Sequence, residues 1–215
     1  MATSAFAAPP ADPLLQKIIA GARAVSPASI RYERTTRSTA REAGGGSESH
    51  VRVDRWDGKQ MTRISVDGKP AAAEEVEKAR KASAGRPVAG YHRVADFLAV
   101  GARRVGETGG MVTYRVDKLP KGSVDLGGDK SDKFVGEAIV DTTAAVPFVS
   151  RMRFFLPKPL SIMFIAKVEK FEVVNDYRIG ADGRPAQVHQ VQTMSGSQFG
   201  KTGETRSEST YTPLR

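Results

Sequence analysis

Apolar and polar residues alternate through the second half of this chain. In Arg151-Met152-Arg153-Phe154-Phe155-Leu156, Met152, Phe154 and Leu156 fall on one side and Arg151 and Arg153 on the other. Lys170-Phe171-Glu172-Val173 repeats the pattern with Phe171 and Val173. Side chains point alternately to the two faces of a strand. This period therefore predicts antiparallel strands, wet on one face and apolar on the other. From Lys133 to Tyr211 the reading is almost all strand.

The pattern predicts about nine or ten strands in all. They fall at 30–39, 50–56, 60–66, 102–107, 111–117, 134–142, 147–156, 162–179, 187–194 and 204–211. Asp57-Gly58, Gly109-Gly110 and Asp182-Gly183 mark turns, and Ser195-Gly196-Ser197 reads as one more hairpin. Lys118 to Lys130 reads as a Gly/Lys/Pro loop.

Helices punctuate the strands. Asp12-Pro13 is a good cap and first residue for a helix carrying Leu14, Leu15, Ile18, Ile19 and Ala22 on one face. Ala71 to Ala84 has acids early and bases late, which suits the helix dipole, but its apolar face is thin. It is expected on the surface or as a flap. Val94, Phe97 and Leu98 share a face of a short helix suited to plug the sheet. The fold class that follows is α+β: one curved antiparallel sheet, an incomplete β-barrel, wrapped around its helices. Residues 12–215 form one domain in this reading, after a 1–11 leader.

Composition narrows the function. The net charge is +9, from 33 basic and 24 acidic residues. The bases are scattered among acids, with no Lys/Arg block, so nucleic acid is not an expected partner. An anionic membrane surface stays as a candidate. The chain has no cysteine, which excludes disulfides, thiol catalysis and cysteine-bound metals. Ala5-Phe6-Ala7 has the small-x-small pattern of a signal-peptidase site. It predicts an exported, periplasmic protein cleaved near Ala7.

No catalytic constellation is legible. His50, His92 and His189 lie far apart and have no metal-ligand spacing. Ser195-Gly196-Ser197 lacks the nucleophile elbow, and Gly106 to Gly110 lacks the Lys-Ser/Thr of a phosphate loop. Asp54, Asp57, Asp67 and Asp141 sit at strand ends, where turn formation is the ordinary role. No catalytic residue, metal site or cofactor is expected. Titratable side chains converging inside the fold would be the sign of an enzyme.

The apolar residues are the remaining candidates. Met152, Phe154, Leu156, Ile162 and Phe164, joined by Phe97, Leu98 and Phe171, read either as ordinary core or as the lining of a cavity for a hydrophobic ligand. Burial is worth about 0.8 kcal/mol per methylene. Ten methylenes then supply roughly 8 kcal/mol before the cost of association.

Several motifs carry a resemblance. Arg55-Trp56-Asp57-Gly58-Lys59 and Ile64-Ser65-Val66-Asp67-Gly68-Lys69-Pro70 before an acidic helix resemble a group of exported bacterial proteins. Phe155-Leu156-Pro157-Lys158-Pro159-Leu160 and the late Asp182-Gly183-Arg184-Pro185 turn fit the same group. Those proteins look like relatives of the periplasmic lipoprotein carriers of the LolA/LolB type. The resemblance spans about residues 12 to 213 and implies a LolA-like half-barrel that receives acyl chains, with a lipid or acylated protein as partner. No position matches the carriers' lid-locking arginine, so no functional residue follows from it. A second reading gives the chain an interaction role in the cell envelope through a basic convex face with Arg151, Arg153 and Arg178.

Overall fold

The structure is a computed structural model that describes residues 12–85, 87–162 and 166–214. The leader and Phe164 lie outside these residues.

In chain order the elements are α1 (Pro13–Arg23), β1 (Tyr32–Glu42), β2 (Ser47–Trp56), β3 (Met61–Val66), β4 (Lys69–Pro70), α2 (Ala73–Ser83), α3 (Arg93–Leu98), β5 (Arg103–Thr108) and β6 (Met111–Val116), followed by β7 (Val135–Asp141), β8 (Phe148–Phe155), β9 (Leu160–Ile162), β10 (Ala166–Ile179), β11 (Pro185–Gln198) and β12 (Lys201–Pro213). All twelve strands join one antiparallel sheet, ordered β4-β3-β2-β1-β12-β11-β10-β8-β7-β6-β5, with β9 paired to β10. The sheet is open: β4 and β5 lie at opposite edges. With three α-helices beside it, the class is α+β and the arrangement fits a half-barrel. No described helix is long and apolar enough to cross a membrane.

Two predicted boundaries move for physical reasons. The strand expected over 162–179 is two strands, β9 and β10. Ser195-Gly196-Ser197 is not a turn but part of β11. The chain reverses instead at Phe199-Gly200, where both residues take positive φ, of 50° and 78°. Phenylalanine seldom adopts that conformation, so Gly200 is a weak sequence signal for the turn.

α1 begins as its sequence dictates. Asp12 Oδ1 accepts from the amides of Leu14 at 3.0 Å and Leu15 at 3.2 Å. Leu15, Ile18, Ile19 and Ala22 are buried in the main core with Val94, Ala95 and Leu98 of α3. This pair of helices seals the sheet where β6, β7 and β8 contribute Val112, Tyr114, Ala138, Val140 and Met152.

One register row across the sheet shows what the helices cover. It runs Tyr114–Ala138–Met152–Asn175–Gln190–Ser209–Thr36–Arg52, one residue per strand from β6 to β2. The first three are fully buried and apolar or aromatic; from Asn175 onward every member is polar. Along this row the inner face is apolar only from β6 to β8, although Tyr32, Met61 and Tyr211 form a second, smaller core at the far side. The inward positions of β11 and β12 mix Gln187, Gln190, Gln192, Ser207 and Ser209 with Met194 and Tyr211. Val191 instead pairs outward with Glu208.

Several of these polar side chains pair with one another. Thr36 Oγ1 and Ser209 Oγ lie 2.8 Å apart, and Ser38 Oγ and Ser207 Oγ 3.0 Å apart. Asn175 Oδ1 accepts from Gln187 Nε2 at 3.0 Å and Gln190 Nε2 at 2.8 Å. Buried polar groups persist in folded proteins when paired in this way.

Candidate functional site

Beyond the sealed region, α3, the segment before it and the β6–β7 loop leave a cleft of about 760 Å³ over the sheet. Phe97 of α3, with Phe154, Phe171, Val173 and Met194 of the sheet, forms its apolar wall. The Phe97 and Phe154 rings pack at 4.3 Å between centroids, tilted by 46°. Asn175, Gln187, Gln190 and Gln192 line it too, on the same sheet face, where Gln192 pairs with Val173. The size lies within the range of small-molecule sites.

The loop between β6 and β7 is the roof, with Leu119, Val124 and Leu126 over the cleft. Composition made this stretch read as a plain connector. Its order comes from two short side chains. Asp129 Oδ2 accepts from the Gly122 amide at 3.1 Å, while its Oδ1 accepts from Ser131 Oγ at 2.5 Å. Ser131, 2% exposed, accepts in turn from the Val124 amide at 3.0 Å. These bonds, Ser131 first, hold the Asp129 carboxyl below the usual aspartate range. Asp and Ser at this spacing are the only sequence signal for the roof.

The predicted lining residues divide. Phe97, Phe154 and Phe171 line the cleft. Leu98 and Met152, at 2% and 0% exposure, are sealed core and not cavity wall. Leu156 and Ile162 are partly buried and pack against that core outside the cleft. Sequence reading missed Val173, Met194, the amide row and the roof.

A smaller pocket of about 290 Å³ lies between β1, β2, β3 and α2, and the segment Pro87 to Ala89 borders both it and the cleft. Here Asp54 departs from its expected turn role. It is 2% exposed and accepts from Arg34 Nη2 at 2.9 Å and from Arg63 Nε at 3.0 Å. Arg63 Nη1 also donates to Glu75 Oε2 of α2 at 2.7 Å, which fixes that helix over β3. Titratable groups do converge here, but both Asp54 oxygens are engaged by guanidinium groups. That carboxylate is an ion-pair anchor between β1 and β3. Asp57, Asp67 and Asp141 keep turn roles, accepting from the amides of Lys59 and Gln60, Val51, and Thr143.

The histidines do not gather. His50 bonds Asp67, His189 bridges Asp176 and Glu208, and His92 is half-buried beside α3. No group of three metal-ligating side chains occurs among the described residues.

On the opposite face of the sheet the arginines are paired. Arg151 donates to Asp176 at 2.7 Å, Arg153 to Glu172 at 2.5 Å, and Arg115 to Glu137 at 2.8 Å. Arg178 is exposed. Most of the positive charge that marked a basic convex face is thus met by carboxylates on neighbouring strands.

In comparisons with known proteins, no family model and no curated protein matches this chain.

Proposed function

We propose that the protein is a non-catalytic periplasmic carrier of the LolA-like half-barrel kind, holding the acyl chain of a lipid or an acylated protein between its sheet and its helices. The observation that carries this reading is the cleft of about 760 Å³, where phenylalanine, valine and methionine stand beside a row of amides. Such a space suits an amphipathic guest: the chain lies on Phe97, Phe154 and Phe171, and its polar end meets Asn175, Gln187 and Gln190. The engagement of Asp54 by two arginines supports the non-catalytic part of the reading.

A titration with a fluorescent fatty acid tests it. Val173 and Met194 are only half-buried at the edge of the core, so a charge there disturbs the fold less than one at a buried position. Phe154 at 8% exposure is a poor choice, because a charge there threatens the fold itself. The wild type should bind saturably, and Val173→Glu and Met194→Glu should bind at least tenfold more weakly with unchanged circular dichroism. Absence of wild-type binding, or equal binding by both variants, would refute the reading.

A further inference from the structure

The arginine pocket beneath α2 carries an unbalanced charge. Three guanidinium groups, of Arg34, Arg52 and Arg63, line it, and two carboxylates, Asp54 and Glu75, answer them. Arg34 and Arg63 share those carboxylates. Arg52, half-buried, reaches only Ser38 Oγ, at a long 3.5 Å. One positive charge is therefore left over.

The donors of the same pocket are also incomplete. Arg34 Nε, Arg52 Nε and Trp56 Nε1 are buried without an acceptor among the described residues. A buried donor without an acceptor destabilises the fold, so three beside one cavity call for acceptor oxygens.

We propose that this pocket binds a phosphate group, with Arg52 as its counter-charge. The unpaired donors come from three side chains on neighbouring strands β1 and β2, and Arg63 of β3 lines the same pocket. A phosphate offers acceptor oxygens to several such side chains at once. The phosphate is either free or the headgroup of a lipid whose chain runs past Pro87 to Ala89 into the cleft. The inference does not rest on the acyl-chain reading, since inorganic phosphate alone can reveal the site.

Trp56 is the single tryptophan of the chain and lines the pocket, so its fluorescence reports on occupancy. The full chain is titrated with sodium phosphate at constant ionic strength, and separately with dodecyl phosphate below its micelle concentration. A saturable change in Trp56 emission is expected, with a midpoint at least tenfold weaker in Arg52→Gln and intermediate in Arg52→Lys. Folding of both variants is checked by circular dichroism. Saturation by inorganic phosphate supports the site and assigns a free anion; saturation by dodecyl phosphate alone supports it and assigns a headgroup. No saturation by either, or an unchanged midpoint in Arg52→Gln, overturns the proposal.

Discussion

The Tyr114 hydroxyl donates to Asp12 Oδ2 at 2.7 Å, so the residue that caps α1 also ties that helix to β6. The two oxygens of one carboxylate do different work: Oδ1 starts the helix and Oδ2 fixes where it lies. Burial raises the Asp12 pKa, but the Tyr114 bond and the two helix amides outweigh it and leave it lowered. Burial and the Asp12 partner push the Tyr114 phenol up.

Losing this carboxylate should cost more than an ordinary cap. Asp12→Ala removes a cap worth about 1 kcal/mol and leaves the Tyr114 hydroxyl without its partner, for a total of about 2 kcal/mol. Tyr114→Phe should cost about 1 kcal/mol. Urea unfolding of the two single variants and the double variant checks this; the double should cost less than the sum, because both remove the same bond.

Gly196 and Gly106 should respond oppositely to alanine. A Cβ at Gly196 would lie 2.1 Å from the Lys167 carbonyl oxygen, beside the bulge between Val168 and Lys170. Backbone cannot yield as a side-chain tip does, so Gly196→Ala should destabilise by about 1–3 kcal/mol. A Cβ at Gly106, in edge strand β5, meets nothing within 4 Å. Gly106→Ala should be neutral or should stabilise by up to about 1 kcal/mol. Thermal melts of the two variants decide it.

Stability should fall as pH drops through the histidine range, partly through His92. Burial, and then the neighbouring Arg93 cation, hold its pKa below the ordinary value, with Asp96 offsetting only part. The folded state thus binds the proton less tightly than the unfolded chain. His92 therefore penalises folding increasingly as pH falls from about 6.5 through its lowered folded pKa. The cost of His92→Gln, measured by urea midpoints, should be smaller at pH 5 than at pH 7.5. His50 provides the opposite sign: its bond to Asp67 raises its pKa, so its contribution is present at low pH and lost as pH rises through the raised value.

The alternation in β8 and β10 made half of this fold legible in the sequence. Met152 and Phe154 face inward as read, and Arg151 and Arg153 outward. The other half was less legible, because β11, β12 and β1 place Gln, Ser and Thr among their inner positions beside Met194, Tyr211 and Tyr32. A hydrophobic pattern carries no signal where the buried groups are paired by hydrogen bonds between side chains, as Thr36 and Ser209 are. The cleft was legible only in part for the same reason. Phe97, Phe154 and Phe171 belong to the apolar pattern, whereas the roof depends on contacts of Asp129 and Ser131 that look like any polar loop. Asp54 was misread because its meaning depends on arginines brought by β1 and β3 from elsewhere in the sequence.

Native mass spectrometry of the delipidated protein with added palmitate tests the carrier reading most directly. The account predicts one palmitate per chain, lost in Met194→Glu and retained in Arg151→Gln on the opposite face. A wild-type chain that stays free of palmitate, or takes it up equally with Met194→Glu, would contradict it.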